Sequence, residues 1–436
     1  MSTPVFADDF SDSNYWLENR EHCEPSTLPT KADTVVIGSG LTGASAAHAL
    51  ASAERSVVVI DRNQIGSGAS SRNTGMIGKG SRLGFAPLAK VAGHEAAITY
   101  FKELDAIYHE AIDRIEKENF DCNFRRSGRF IGALRPEHLE RLMREYEARE
   151  KFLGEKVKFV RGAPTEIVGS ERYFGGVLLD SAASVDPAAY TAAMVSRAAA
   201  IGAQFIPETA ALAVKRDING HEVHTSRGTV RCRNVVVATN GYGGRELPYA
   251  HARLLPISAY VVTTEELPAE LLDSIFLARS TYVDNTRATR YFQVTPDGKR
   301  LVFGSRTGRR PPGSLRAVAR KIRQDMTFLF PQLADVKLSR VWTGRCAATL
   351  DLSPRLVEHE GVHYAIGYSF TGLALAPYLG RLAGEWIVTG KRPDTAFSKG
   401  DFPTLPIRAR ILRPLAAPIL TRYYAWEDRP FIQSRS

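Results

Sequence analysis

The sequence of 436 residues lacks several features that would place it quickly in a familiar class of protein. No uninterrupted apolar run approaches the ~18 residues that a membrane-spanning helix needs. The first residues are acidic and lack the basic start and apolar stretch of a secretory signal, so a cytoplasmic location is expected. The four cysteines show no CxxC spacing, and the ten histidines show no HxxxH spacing. The sequence therefore predicts neither a zinc site nor a disulfide framework.

Lysine and arginine outnumber aspartate and glutamate by 57 to 47, which gives a formal net charge of +10. Such an excess can indicate a nucleic acid or an anionic membrane surface as a partner. The densest basic stretch, residues 306–323, runs into a segment whose apolar residues recur at spacings of three and four: Leu315, Val318, Ile322, Met326 and Leu329. This pattern predicts an amphipathic helix with its arginines on the solvated face. No nucleic-acid partner is therefore expected.

The most informative segment is residues 33–61, in which a short apolar strand leads into Gly38-x-Gly40-x-x-Gly43, a small-residue helix and a second strand that ends at Asp61. In a dinucleotide-binding unit these glycines permit a sharp turn, the approach of a pyrophosphate, and close packing of helix on strand. The helix N-terminus attracts phosphate groups. A carboxylate at Asp61 can accept hydrogen bonds from ribose hydroxyls and disfavours a 2′-phosphate. FAD or NAD therefore fits better than NADP.

Three further segments carry the same character. Residues 66–75 are dense in glycine and small polar residues, so they can bend closely around a flat cofactor. Residues 234–241 predict a buried parallel strand that ends in small polar residues beside a ligand. Residues 361–372 predict a strand and a glycine-rich turn before a helix at 373–388. The N-terminus of that helix can stabilise the negative charge that develops on a reduced flavin.

Several motifs occur in a characteristic order: Tyr15-Trp16, GASSRNTGM at 68–76, VVVATNGY at 235–242, Trp342-Thr-Gly344 and the turn Gly367-Tyr-Ser369. In this order they resemble the FAD-dependent D-amino-acid oxidase superfamily, and most closely its branch of γ-glutamylputrescine oxidoreductases and related amine oxidoreductases. The resemblance implies a mixed α/β (α+β) fold, in which a Rossmann-like FAD-binding domain is interleaved with a substrate domain built on an antiparallel sheet.

The resemblance also implies a division of the chain. The FAD-binding domain is expected at 33–90, 155–248 and 336–400, and the substrate domain at 91–154 and 249–335. An N-terminal extension at 1–32 and a surface-packed tail at 401–436 complete it. The residues expected to hold FAD are Gly38, Gly40, Leu41, Thr42, Gly43, Asp61, Arg62, Gly68, Ala69, Ser70, Arg72, Asn73, Thr74, Gly75, Met76, Thr239, Asn240, Gly241, Arg345, Ser369, Thr371, Gly372 and Leu373.

The implied chemistry is amine oxidation: hydride passes from a C–H bond beside nitrogen to the flavin, and the resulting imine hydrolyses. A γ-glutamylputrescine-like amine is the favoured substrate. The alternatives are a sarcosine or D-amino-acid type of oxidase and a flavin-dependent tRNA-modifying enzyme. An NAD-linked dehydrogenase is a further alternative, but the second GxGxxG unit that it would normally need is not found in the sequence. Gly75 stands where related oxidases have a carboxylate-binding arginine, which disfavours simple α-amino acids. Val302 stands where sarcosine oxidases have a lysine that promotes reaction with oxygen. The electron acceptor is therefore expected to be either oxygen or a quinone or protein.

The candidate residues of the substrate cavity are Arg306, Tyr260, Tyr291 and Phe370, and for the three aromatic residues a place in the core is the alternative. Where many relatives have SGHG before the last helix, this chain has Ser369-Phe370-Thr371-Gly372, so that phenylalanine replaces a glycine. Arg306 and Arg345 are also candidates for binding an anionic substrate group. Sarcosine oxidases attach FAD covalently through a cysteine near Cys346, but the residues that follow differ here. A small buried cysteine is therefore the favoured interpretation over covalent attachment.

Overall fold

The computed structural model describes residues 4–18, 20, 23–24, 26–286, 289–305 and 314–406. The α-helices are α1 (Leu41–Ser52), α2 (Phe85–Ala92), α3 (His94–Lys117), α4 (Pro136–Leu153), α5 (Pro187–Ala200), α6 (Pro248–His251), α7 (Ala269–Ile275), α8 (Leu315–Leu329) and α9 (Gly372–Thr389). Short 3₁₀ turns lie at Tyr15–Leu17, Ala69–Ser71, Asn240–Tyr242 and Pro331–Leu333.

The β-strands form two large sheets and one small one. The strands are β1 (Phe6–Ser11), β2 (Lys31–Ile37), β3 (Val57–Ile60), β4 (Met76–Gly78), β5 (Arg129–Ala133), β6 (Val157–Arg161), β7 (Gly175–Leu179), β8 (Ala182–Ser184), β9 (Gln204–Ile206), β10 (Ala211–Asp217), β11 (Gly220–Thr225), β12 (Gly228–Val237), β13 (Leu255–Thr264), β14 (Thr281–Asp284), β15 (Arg290–Val294), β16 (Leu301–Ser305), β17 (Leu338–Ala348), β18 (Arg355–His359) and β19 (Val362–Ile366). Strands β4 and β8 form the small sheet.

The first large sheet has eight strands and is parallel through its centre. Strands β9, β3, β2, β12 and β19 run parallel to one another, and β10, β11 and β18 add antiparallel neighbours. The predicted strands of the dinucleotide-binding unit are therefore confirmed. Their runs of valine and isoleucine are buried on both faces, as expected where both faces of a parallel sheet are covered.

Helix α1 lies unusually close to both the sheet and α9. A Cβ atom at Gly43 would lie 1.8 Å from the Gly38 carbonyl oxygen, and one at Gly380 would lie 2.2 Å from the Thr42 carbonyl oxygen. One turn further along α9, a Cβ atom at Gly384 would lie 2.9 Å from the carbonyl oxygen of Ala46. Since both contacts advance in the same chain direction, α1 and α9 run parallel. Their N-termini therefore point to the same edge of the sheet.

The second large sheet has nine strands in the order β1-β17-β13-β16-β15-β14-β5-β7-β6. Most of its pairs are antiparallel, while β1 with β17 and β5 with β14 are parallel. One face packs on α8 through a core rich in aromatic rings, among them Phe276, Phe292, Phe303 and Phe330. The amphipathic helix predicted after the basic stretch is confirmed: Val318, Ile322, Met326 and Leu329 of α8 are buried, while Arg316 and Arg320 are exposed.

The predicted division into two domains stays a prediction, although sheet membership differs from it at three strands. The strands β6, β7 and β17 fall inside the segments expected for the FAD-binding domain, but they belong to the nine-stranded sheet. Helix α3, expected in the substrate domain, packs into the core that covers α1 and α9. Residues 306–313 and 407–436 lie outside the described residues. Just before the latter segment, Phe402 and Leu405 are buried, and the Leu405 N–H donates to Ala252.

Helix α5 begins where the sequence predicts. The Asp186 carboxylate accepts hydrogen bonds from the N–H groups of Ala188 and Ala189 at 2.8 and 2.9 Å, and Pro187 occupies the first turn. This arrangement is a typical N-cap. Across the described ranges, none of the helices combines the length and the apolar character that crossing a bilayer requires.

One strand of the eight-stranded sheet makes stability depend on pH. Burial lowers the pKa of His363 on β19 to about 4, against an opposing contribution from Glu358. Its ordinary value is 6.5, so between these two values the unfolded chain binds a proton that the folded chain excludes. The free energy of unfolding is therefore highest above the pKa of the unfolded chain, and it falls by about 3 kcal/mol as the pH drops from about 6.5 to about 4.

Urea unfolding at several pH values measures this loss. His363→Gln should flatten the acid side of the stability curve, whereas His109→Gln, at an exposed histidine, should retain it. An unchanged acid slope in His363→Gln would contradict the assignment.

Candidate functional site

The parallel strands β2, β3, β12 and β19 all end at one edge of the eight-stranded sheet. Because ligands of open α/β sheets bind outside the carboxyl ends of the strands, this edge is the expected site. A cavity of about 420 Å³ lies there, and it extends from the loops after β2, β3, β12 and β19 to the nine-stranded sheet. The two sheets therefore share one cavity.

The glycine turn after β2 forms one wall of the cavity. Gly38 has a φ of +105°, which a residue with a side chain rarely adopts, and Gly40 precedes the first turn of α1. No side chain from the start of α1 caps this helix, although the Ser70 hydroxyl accepts a hydrogen bond from the Leu41 N–H at 3.0 Å. The N-terminus of α1 is therefore available to an anionic ligand.

Asp61 follows β3 and is oriented by the glycine turn. One of its oxygens accepts hydrogen bonds from the Ser39 N–H at 3.0 Å and the Ser39 hydroxyl at 2.7 Å. The same hydroxyl accepts from the Gly66 N–H at 2.9 Å. Ser39 thus ties together the turn, the acid and the start of the loop at 66–75. Beside them, Arg62 forms an ion pair with Glu246 at 2.7 Å, and both residues line the cavity.

Two tryptophans hold the loop at 66–75 in place. The indole N–H of Trp16 donates to the Asn73 carbonyl at 2.9 Å, and that of Trp342 donates to the Arg72 carbonyl at 3.0 Å. The Gln293 side-chain amide donates to the Thr74 carbonyl. The loop is therefore fixed from the N-terminal segment and from the nine-stranded sheet at once. This contact explains why Tyr15-Trp16 and Trp342-Thr-Gly344 accompany the loop in the sequence.

The loop after β12 contains an unsatisfied polar atom. The Thr239 hydroxyl is buried and has no hydrogen-bond partner among the residues that the structure describes, and Thr239 lines the cavity. Such a group costs free energy unless something pairs with it. Next to it, the Asn240 side chain accepts a hydrogen bond from the Gly367 N–H at 3.1 Å, which links the loops after β12 and β19.

The turn before α9 has an unusual backbone. Ser369 and Phe370 both have positive φ values, +48° and +75°. A bulky residue in this region is strained by about 1–2 kcal/mol. The resemblance described above places Phe370 where glycine is expected, and glycine adopts this conformation without strain. Phe370, Thr371 and Gly372 line the cavity at the N-terminus of α9, while Ser369 is buried and does not.

The nine-stranded sheet forms the opposite wall. Ala259 and Val261 of β13 and Tyr291 of β15 line the cavity. The ring of Tyr291 lies across Gly304, where a Cβ atom would lie 1.9 Å from the ring. Tyr260, predicted to line the cavity, is instead buried in the aromatic core on the other face. Successive side chains of a strand point to opposite faces, so its two neighbours reach the cavity and Tyr260 does not.

Most residues predicted to hold a cofactor line this one cavity. They are Gly38, Gly40, Leu41, Thr42, Asp61, Arg62, Gly68, Ala69, Ser70, Arg72, Asn73, Thr74, Met76, Thr239, Asn240, Thr371, Gly372 and Leu373. Gly43, Gly75, Gly241, Arg345 and Ser369 do not. Gly43 packs α1 on β2, and Gly75 and Gly241 each lie against a neighbouring backbone carbonyl. Arg345 is exposed because Gly344 and Cys346, its neighbours on β17, face the cavity instead.

Predictions were also made for Arg306, Val302 and Cys346. Arg306 lies outside the described residues. Val302 is buried among Trp16, Val261 and Trp342 and does not line the cavity. Cys346 lines the cavity and is only half-buried, so the prediction of a buried core cysteine is wrong in that respect.

Sequence reasoning missed a group of lining residues on other elements. They include Gly78, Lys79, Arg82, Arg129, Tyr146, Arg149, Tyr242, Glu246 and Tyr368. Tyr242 and Tyr368 lie within motifs that the sequence shows, VVVATNGY at 235–242 and Gly367-Tyr-Ser369, but were not singled out as candidates. Arg129, Tyr146 and Arg149 belong to β5 and α4, whose sequences carry no local sign that they face a ligand. Only the packing of those elements against the cavity reveals them.

Comparison with known proteins identifies the family. The sequence model of the family described as "DAO: FAD dependent oxidoreductase" matches residues 33–386. The chain belongs to this family of FAD-dependent oxidoreductases. FAD is thus the cofactor of the family, and three features of the site fit a bound dinucleotide: the glycine turn, the available N-terminus of α1, and a Thr239 hydroxyl that no described residue pairs.

Individual relatives extend the comparison over nearly the whole chain. The chain is 28% identical to a probable oxidoreductase, OrdL, of Haemophilus influenzae, over 95% of this chain and 97% of the relative. It is also 28% identical to γ-glutamylputrescine oxidoreductase of Escherichia coli, over 91% and 93% of the two chains. Among solved structures, glycine oxidase from Geobacillus kaustophilus superimposes with a TM-score of 0.68 at 22% identity, over 86% and 99% of the two chains. This last likeness confirms the predicted fold.

The Thr239 hydroxyl gives a direct test of cofactor contact. If FAD supplies its missing partner, Thr239→Val should weaken FAD binding about tenfold, while Thr239→Ser should bind FAD as the wild type does. Titration of the apoprotein with FAD, followed by flavin fluorescence, measures both. Equal affinity in the wild type and Thr239→Val would show that the hydroxyl has no partner in the cofactor.

The positive φ at Phe370 predicts which of glycine and alanine is the more stable replacement at this position. Glycine normally destabilises a protein relative to alanine, but a positive φ reverses that order. We expect the free energy of unfolding of Phe370→Gly, measured by urea denaturation, to be about 1 kcal/mol higher than that of Phe370→Ala. Ala192→Gly, at an exposed position inside α5, is the control and should lose about 1 kcal/mol. Phe370→Ala proving the more stable would exclude the left-handed backbone.

Proposed function

We propose that the protein is an FAD-dependent amine oxidoreductase that oxidises the C–N bond of an amine or an N-substituted amino compound, with a γ-glutamylputrescine-like substrate favoured. The observation that carries the proposal is the single cavity, which runs from the N-terminus of α1 past the N-terminus of α9 to the nine-stranded sheet. One end suits a dinucleotide, and the part towards the nine-stranded sheet has apolar and aromatic walls that include Val261, Tyr291 and Phe370. The similarity to γ-glutamylputrescine oxidoreductase over more than nine-tenths of both chains supports the choice of substrate.

We assign the diphosphate to the N-terminus of α1, the ribose of the adenosine half to Asp61, and the loop at 66–75 to the flat part of the cofactor. The N-terminus of α9 would place its partial positive charge beside the flavin ring. Bound there, FAD supplies a two-electron acceptor for the substrate hydride.

The lining of the cavity suits a reaction without an obligatory acid or base. Among the lining residues that the structure describes, there is no histidine, and the carboxylates are Asp61, Glu155 and Glu246. Asp61 is held by Ser39 and Glu246 by Arg62, both at the dinucleotide end. The chain's residues would therefore orient the amine and exclude water rather than remove a proton from carbon. Tyr291, Val261 and Phe370 are our candidates for the walls around the reacting bond.

The positions of Val302 and of the lysine in the cavity bear on the choice of electron acceptor. Val302, which the resemblance places where sarcosine oxidases have a lysine, is apolar and buried away from the cavity, and the charge of Lys79, which lines the cavity, is paired with Asp105. A positive charge near a reduced flavin would favour transfer to oxygen by stabilising the superoxide-like charge that develops. We therefore propose that a quinone or a protein accepts the electrons in preference to oxygen.

Anaerobic mixing tests the reaction. The purified yellow protein is combined with polyamines and their γ-glutamyl derivatives, N-methyl amino acids and D-amino acids, and the loss of the flavin absorption band is recorded. We expect γ-glutamylputrescine or a similar modified amine to bleach the flavin fastest, and reoxidation by a soluble quinone to outpace reoxidation by oxygen. Bleaching by NADH alone, or by D-amino acids and sarcosine in preference to all amines, would replace the proposal with an NAD-linked or amino-acid oxidase.

A further inference from the structure

The far end of the cavity contains a cation that the reaction proposed above leaves unused. Arg129 begins β5, lines the cavity and is half-buried. Its side chain donates hydrogen bonds to the Thr281 hydroxyl at 3.3 Å and to the Ile77 carbonyl at 3.2 Å. Both acceptors are neutral. Within the described part of the chain no carboxylate pairs with this guanidinium, and burial lowers its pKa from the ordinary value.

The neighbouring cations are compensated. Arg149 pairs with Glu145 at 2.8 Å and lies over the rings of Phe101 and Tyr146. Lys79 pairs with Asp105. At the dinucleotide end Arg62 pairs with Glu246. A guanidinium that is partly desolvated and has no counter-charge is costly, and an anionic ligand would remove that cost.

The surroundings of Arg129 leave room for such a ligand. Its Nη1 atom lies 2.7 Å from where a Cβ atom of Gly78 would be, so glycine at that position makes space for the guanidinium. Gly78 and Tyr146 also line the cavity there. A guanidinium with two N–H groups fixed by protein acceptors retains further N–H donors, and their geometry suits a carboxylate.

The location sets the length of the ligand. In the nine-stranded sheet, β14 lies between β5 and β15, so Arg129 is two strands away from Tyr291. Adjacent strands lie about 4.8 Å apart, and Tyr291 pairs with Val283, two residues beyond Thr281, which is the partner of Arg129, so their backbones are about 12 Å apart. The N-terminus of α9 lies at a similar distance from Arg129. Arg129 is beside Gly78, and Gly80, two residues further along the chain, lies against Thr371. An α-amino acid, whose carboxylate adjoins the reacting C–N bond, is too short to span this distance.

We propose that Arg129 binds a carboxylate of the substrate, so that the preferred substrates are elongated amines with a carboxylate remote from the C–N bond that is oxidised. This inference rests on the proposed amine oxidation for its choice of amine, but the anion site itself does not depend on it. Arg129 acts in binding only, so its loss raises the substrate concentration that is required and leaves the limiting rate of flavin reduction unchanged.

The test compares two matched amines on the holoenzyme without oxygen: γ-glutamylputrescine, and N-(4-aminobutanoyl)putrescine, which is the same chain without the carboxylate. In Arg129→Met we expect the apparent dissociation constant for the carboxylate-bearing amine to rise about 100-fold and that for the second amine to change less than about threefold. Arg129→Lys should show the same selective effect at smaller size. Arg126→Met, at an exposed arginine paired with Glu116, is the control and should behave as the wild type.

Equal effects on the two amines in Arg129→Met, or no effect on either, would overturn the proposal. If Arg129→Met fails to hold FAD, Arg129→Lys decides by the same comparison. If no amine bleaches the wild-type flavin, the proposed function fails, and the anion site is judged separately by titrating the holoenzyme with glutarate, a dicarboxylate without an amine. A change in the flavin spectrum that Arg129→Met abolishes supports the site, and no change in the wild type, or an equal change in both, refutes it.

Discussion

The close approach of α1 to β2 on one side and to α9 on the other is the constraint on which the site depends. Gly43 and Gly380 allow backbone atoms to come so near that a single methyl group at either position would overlap a carbonyl oxygen. This packing holds two helices parallel, with both N-termini at the carboxyl edge of the sheet. Two partial positive charges therefore face one cavity. Any loosening of the contact would move these two N-termini apart at the edge where we propose that FAD binds.

The second sheet converts this edge into an enclosed cavity. Its strands β13, β15 and β5 close the space opposite the glycine turn, and Trp342 of β17 reaches across to hold the loop at 66–75. The loop at 66–75 is thus part of the contact between the two sheets. A cofactor bound there would be gripped by both, which couples its affinity to how the two sheets pack. Trp16, from the N-terminal segment, adds a third anchor to the same loop.

The electrostatics of the cavity divide along its length. At the end that we propose for the dinucleotide, Arg62 and Glu246 pair with each other, and backbone N–H groups orient Asp61. The middle, between Tyr291 and Phe370, is apolar and aromatic. At the far end Arg129 carries a charge that the described protein residues leave without a carboxylate. A substrate with a neutral amine and a distant carboxylate would match this order of surfaces, because each part meets an environment that favours its charge state.

The sequence by itself determined the dinucleotide-binding unit, its acid, the small polar loop and most of the secondary structure. These features are local: glycine spacing, apolar runs and helix caps act within a few residues, so they can be read along the chain. It also determined the family, because several motifs occur in a fixed order. What it predicted less well was where side chains on the second sheet point. Tyr260 and Tyr291 looked equivalent, yet the strand register turns one to the aromatic core and the other to the cavity.

Only the tertiary structure decided which distant residues share the cavity. Arg129, Tyr146 and Arg149 lie on elements with no ligand motif, and they reach the site because β5 joins β14 in the nine-stranded sheet and α4 packs beside it. The strain at Phe370 is likewise set by the turn between β19 and α9, since its φ depends on how that turn meets the cavity. Contacts of this kind join residues far apart in the chain. They follow from packing and strand register, which a local pattern of residue types does not specify.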